Sequence, residues 1–90
     1  MSFTPDFVPD AKSQWRELDV ELQEIVLDEL EKLASNPPPD VGGLIEHDFA
    51  HDRGGIRHYI FLRMVIDRRA RTLRVIGIVQ LTKPLPGQAS

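Results

Sequence analysis

Ile56-Arg57-His58-Tyr59-Ile60-Phe61-Leu62-Arg63-Met64-Val65-Ile66 is the stretch on which the fold turns. Ile56, His58, Ile60, Leu62, Met64 and Ile66 alternate with Arg57, Tyr59, Phe61, Arg63 and Val65. A period of two is the signature of a β-strand, whose successive side chains point to opposite faces. Both rows are fairly apolar, so this strand is expected in the middle of a sheet. Gly54-Gly55 just before it is a hairpin signal. Upstream of that turn Ile45, His47, Phe49 and His51 alternate with Glu46, Asp48 and Ala50, a weaker strand. Downstream, Asp67 to Arg71 is a polar turn. Leu73, Val75, Gly77, Val79 and Leu81 then make one face of a last strand, with Arg74, Ile76, Ile78 and Gln80 on the other. Pro84 and Pro86 end the pattern, and residues 84–90 are expected to form a flexible tail.

The N-terminal part has a different period. Asp19 can cap a helix, and Glu21 and Glu24 suit the positive end of its dipole. Leu22, Val26, Leu30 and Leu33, with Ile25 beside them, form its buried stripe. Asn36 and Pro37-Pro38-Pro39 stop it. Before it, Thr4-Pro5-Asp6 has the form of a helix start, and Phe7, Ala11, Trp15 and Leu18 share one helical face. Pro9 interrupts that pattern, so the regular helix is expected to begin there or at Asp10, with residues 5–8 as a turn leading in. The two helices meet at Leu18-Asp19 and predict a helical hairpin. The fold class is therefore α+β: two N-terminal helices packed on a small antiparallel β-meander, in one domain over residues 1–83. A scrap of strand at Met1 to Phe3 is the one addition this reading allows.

Ninety residues make one domain with a small core. Without cysteine there is neither a disulfide nor a thiolate metal site. The N-terminus does not read as a signal peptide, and no apolar run approaches a membrane span, so the expected location is the cytoplasm. The net charge of −3 conceals a division. Residues 1–52 hold 13 acids against three basic residues, about −10; residues 53–90 hold one acid against eight basic residues, about +7. This asymmetry predicts an acidic surface and a basic one, the latter able to attract phosphate. The alternative is that the two halves neutralise each other across the fold.

Four stretches resemble the RelE/ParE superfamily, the toxin half of bacterial type II toxin–antitoxin pairs. They are Phe3-Thr4-Pro5-Asp6-Phe7, the second helix from Leu18 to Pro39, Gly55-Ile56-Arg57-His58-Tyr59-Ile60-Phe61, and Val75 to Lys83. The resemblance implies a strand before the helices. Here Met1 to Phe3 is the segment available for it, as a strand that is very short, lost, or cut by a misplaced start. It also implies one of two activities. RelE-type members cleave messenger RNA in the ribosome without metal, as endoribonucleases that inhibit translation. ParE-type members inhibit DNA gyrase without enzymatic action. Both are neutralised by a cognate antitoxin. A catalytically inactive binding protein of the same fold is a further alternative, as is a homodimer.

Metal-free RNA cleavage requires a base at the ribose 2′-OH, cations at the phosphate, and an acid at the leaving oxygen. The resemblance carries Arg57, Tyr59 and Lys83 into that role. Arg57 falls on the family's strand arginine, and a guanidinium suits bidentate phosphate binding. Its bland alternative is an ion pair with an acid of the second helix. Tyr59 shares a face with Arg57 and Phe61, where it stacks on a base or is simply a half-buried sheet aromatic. His51 and His58 are candidate acid/base groups, although His58, in line with Ile60 and Leu62, reads first as a core histidine. Arg53, Arg63, Arg68, Arg69, Arg71 and Arg74 are the candidate nucleic-acid contacts. His47 and His51 are four apart, but on a strand or loop and without an evident third ligand, so no metal is expected, and no cofactor. Gln80 stands where many family members have a histidine, which weighs against catalysis.

Overall fold

The computed structural model describes residues 2–87. The decisive stretch is β3, Ile56–Asp67. It pairs antiparallel on one side with β2, Leu44–Arg53, and on the other with β4, Thr72–Pro84. β1, Thr4–Phe7, runs parallel to β4, giving the strand order β1-β4-β3-β2. Two helices, α1 (Pro9–Glu17) and α2 (Val20–Ser35), cover one face. The fold is α+β, as expected, with a mixed sheet because of β1.

β3 alternates as read. His58, Ile60, Leu62, Met64 and Ile66 are buried beneath the helices, and the intervening residues face outward. The core joins them to Ala11, Leu22, Val26, Leu30, Ile45, Leu73, Val75 and Ile78. Each large apolar side chain fully buried there contributes about 1.5–3 kcal/mol. At the β2–β3 turn Gly54 and Gly55 have φ of 60° and 78°, the left-handed pair that a two-residue hairpin requires.

The N-terminal segment corrects the sequence reading. α1 begins at Pro9 as expected, but Thr4 to Phe7 are strand rather than a turn leading into it, and the pre-helical strand is this segment rather than Met1 to Phe3. Thr4 N–H donates to Arg71 O (2.8 Å) and Val8 N–H to Val75 O (3.0 Å). The cause is Pro9. It excludes helical backbone at Val8, which is extended at φ −69° and ψ 157°, and it then starts α1 itself. Phe7 still reaches Trp15, with ring centroids 6.0 Å apart, but from a strand. Met1 lies outside the described residues.

α2 starts as predicted, with Asp19 Oδ1 accepting from Leu22 N–H at 3.1 Å. Gln23 ties the joint between the helices. Its Nε2 donates to the carbonyls of Trp15, Arg16 and Leu18, while Trp15 Nε1 donates to the Gln23 carbonyl.

The last strand holds the second correction. Arg63 pairs with Gly77, but Met64 pairs with Val75, so Ile76 is an extra residue in a β-bulge. Leu73 and Val75 face the helices; beyond the bulge Ile78 does so, while Gly77, Val79 and Leu81 face outward. The expected single face from Leu73 to Leu81 is thus split in two. Gln14 of α1 fits the bulge: its Oε1 accepts the Ile78 N–H at 2.7 Å. β4 continues to Pro84, and Leu85 N–H donates to Gly55 O at 3.0 Å. Of the expected tail, residues 88–90 lie outside the described residues.

Candidate functional site

The bulge assembles the outer face. Directly paired residues on neighbouring strands point to the same side, so the registers define rows across the sheet. Asp52, Arg57 and Lys83 form one row; Ala50, Tyr59 and Leu81 the next; Asp48, Phe61 and Val79 the third; Glu46, Arg63 and Gly77 the fourth. Arg57, Tyr59 and Lys83, singled out from sequence, therefore share one face at the Gly54-Gly55 end of the sheet. Without the bulge Lys83 would face the other way.

Arg57 is bound by Asp52. Its Nε lies 2.7 Å from Asp52 Oδ1 and its Nη2 3.1 Å from Oδ2. The partner anticipated for Arg57 was an acid of α2; the observed one is its neighbour on β2. Asp52, and next to it Tyr59, raise the affinity of the guanidinium for its proton above the ordinary value. The same contact lowers the Asp52 pKa from 3.8. Lys83 is exposed and makes no ion pair among the described residues. Beyond Tyr59 the face is apolar, with Phe61, Val79 and Leu81 40%, 56% and 52% exposed. A cavity of about 400 Å³ opens there, lined by Glu46, Asp48, Phe61, Arg63, Gly77 and Val79 among others. Gly77 leaves room opposite Arg63, where a side chain would otherwise stand.

The remaining basic residues are not gathered at this site. Arg53 turns to the helix side and pairs with Asp19 and Glu21, each at 2.6 Å. Arg63 pairs with Glu46 (3.5 Å), Arg68 with Asp40 (2.7 Å) and Arg74 with Asp6 (3.4 Å). Arg68, Arg69 and Arg71 lie in or beside the β3–β4 turn, at the far end of β3 from Arg57, about 33 Å away at the usual strand rise. In that turn Arg71 has φ 55°, and Asp67 Oδ1 accepts from the backbone of Arg69 and Ala70. The charge asymmetry of the sequence is thus spent largely inside the molecule. Five arginines of the second half pair with acids of the first.

Both candidate imidazoles face the helices. His58 is 9% exposed, and its Nδ1 lies 3.0 Å from Gln80 Nε2. With the Gln80 amide as donor, the ring proton sits on Nε2. Gln80 therefore serves a core histidine from the position where a family histidine was looked for. His51 Nε2 is 3.7 Å from Glu21 Oε1 and has no hydrogen bond among the described residues. His47 Nε2 meets Glu29 Oε2 at 3.1 Å. No group of three or more metal-ligating side chains converges among the described residues. No helix among them is long and apolar enough to cross a membrane.

Asp52 is the site residue that sequence reading missed. The signal was available: a two-residue turn at Gly54-Gly55 pairs Arg53 with Ile56 and hence Asp52 with Arg57.

No family model and no curated protein matches the chain. Solved structures do. A double arginine-to-alanine mutant of E. coli RelE in the free state superposes with TM-score 0.68 at 18% identity, covering 87% of this chain and 82% of that one. The chain has the RelE fold. Isolated E. coli RelE gives TM-score 0.64 at 17% identity, covering 86% and 82%. RelE in the intact E. coli RelBE toxin–antitoxin complex gives 0.62 at 18%, covering 86% and 94%. In this chain β1 is the strand before the helices that the resemblance required.

Proposed function

We propose that this chain is the toxin of a toxin–antitoxin pair and that it acts in the cytoplasm on ribosome-bound messenger RNA through its outer sheet face. The observation that carries this reading is the row and register that bring Arg57, Lys83 and Tyr59 together on a RelE fold. In this reading Arg57 clamps the scissile phosphate, using the paired N–H groups that suit phosphate geometry. Lys83, opposite it, offsets the charge that grows on the phosphoryl oxygens as the 2′-oxygen attacks and its proton passes to solvent water, which reaches this exposed face. The Tyr59 hydroxyl lies within the same cluster and supplies a proton donor for the leaving 5′-oxygen. Phe61, Val79 and Leu81 offer the apolar floor on which an unstacked base can lie. A cognate antitoxin is the proposed regulator, supported by RelE having been solved bound to RelB; a second copy of the chain is the alternative partner.

A second reading has a specific observation behind it. His47, His51 and His58 all turn to the helix side, so among the described residues no imidazole serves the outer face. A toxin that blocks its target by binding alone, ribosome or DNA gyrase, needs none. Induction in a bacterium with pulse labelling separates the readings. Cleavage of messenger RNA predicts an immediate stop in protein synthesis, with new RNA 5′ ends mapped by primer extension. Binding alone gives the stop without the new ends, and a gyrase inhibitor stops DNA synthesis first. Unimpaired growth, identical for wild type and Arg57→Ala, would sink the toxin reading itself.

A further inference from the structure

The guanidinium assigned to the phosphate already has an occupant. Asp52 presents both carboxylate oxygens to the Nε–Nη2 edge of Arg57, at 2.7 and 3.1 Å. This edge is the one a phosphate uses for bidentate binding, and a carboxylate is its nearest side-chain analogue. The two residues are direct partners across the hairpin, beside the Gly54-Gly55 turn, so the register delivers Asp52 to that edge. Both side chains are partly exposed, Arg57 at 36% and Asp52 at 45%, and the pair is open to solvent and to exchange. On the other side of Arg57, Lys83 has no ion-pair partner among the described residues. The row thus carries one competing anion and two cations.

We propose that Asp52 is a built-in competitor for the phosphate site at Arg57, an affinity-setting residue that an RNA phosphate must displace before Arg57 and Lys83 can hold it together. This inference rests on the reading of the outer face as an RNA-binding face. An exposed ion pair is weakly held, so the competitor tunes affinity without closing the site. Its displacement leaves Asp52 beside the bound phosphate, where like charge limits residence and favours release of the cleaved strand. An ion pair that merely positioned the Arg57 fork would have the opposite consequence: its loss would loosen the guanidinium and weaken binding.

The sign of one substitution decides between them. Binding of a fluorescein-labelled oligouridylate to the purified chain is measured by anisotropy at low salt for wild type, Asp52→Asn, Arg57→Ala and the double variant. Asparagine keeps the size of the side chain, and melting curves confirm that each variant is folded. The expected result is about 1.5- to fivefold tighter binding by Asp52→Asn, from loss of an exposed competing pair. Weakened binding is expected for Arg57→Ala and equally for the double variant, because the gain acts through Arg57. Unchanged or weaker binding by Asp52→Asn overturns the proposal while leaving the RNA face intact. A gain that persists in the double variant also overturns it, since that is a general charge effect. Arg57→Ala binding as well as wild type removes the RNA-binding reading and the competitor with it.

Discussion

Arg57, Asp52 and Lys83 show how little of a side chain's role resides in the residue alone. Arg57 and Tyr59 were recognisable together because residues two apart on a strand share a face. Lys83 joins them only through the β3–β4 register, and Asp52 only through the hairpin register. His58 shows the reverse: its line with Ile60 and Leu62 already suggested a core residue, and Gln80 completes it. A consequence follows for salt. With one RNA phosphate held by Arg57 and Lys83 together, log K falls against log salt with a slope of about −0.7, and Arg57→Ala flattens it. Anisotropy titrations across a salt series measure both slopes. In the core, Leu62 is 2% exposed. Leu62→Ala should cost about 2–5 kcal/mol, a large share of the stability of a small domain, read from urea midpoints.

At the scale of elements, the strongly periodic segments were the legible ones. β3 and α2 each carry a clear apolar stripe with their stop signals at the ends, Gly54-Gly55 for one and Asn36 with three prolines for the other. β1 was illegible because Thr-Pro-Asp opens helices as readily as it opens a short edge strand, and only pairing with β4 decides. The bulge at Ile76 was illegible for another reason. From Leu73 to Leu81 both alternating sets are largely apolar, so neither phase announces itself, and the extra residue is set by tertiary contact. Gln14 is part of that contact. Gln14→Ala should leave the partly buried Ile78 N–H without its acceptor and cost about 1–3 kcal/mol. Amide exchange at Ile78 should rise more than exchange at Leu62 in that variant; equal protection would mean that the Gln14 bond does not hold the bulge.

The whole molecule is held across its two halves by charge as well as by the core. Asp19, Asp40 and Asp52 all have pKa values lowered from 3.8. For Asp19 the leading cause is the Leu22 N–H and then Arg53; for Asp40 it is Arg68 and then the Gly43 N–H; for Asp52 it is Arg57. A carboxylate whose folded pKa is depressed stabilises the fold fully above its unfolded pKa, and that contribution is lost as pH falls through the folded value. The urea midpoint should therefore hold level down to about pH 5 and fall below the 3.8 of an unperturbed aspartate. Arg68→Ala should flatten the part of that fall due to Asp40. The same pairing explains why the strong charge division in the sequence does not become a broad basic surface. Among the described residues it leaves Lys83, next to the Arg57–Asp52 pair, without an ion-pair partner on the outer sheet face.

The central claim is that this cluster acts on messenger RNA. Primer extension on a transcript isolated after brief induction of the wild-type chain or Arg57→Ala tests it most directly. New 5′ ends within translated sequence are expected for wild type, and their loss, by at least about tenfold, when the phosphate clamp is removed. Intact transcript in both, in cells whose protein synthesis has stopped, would contradict it.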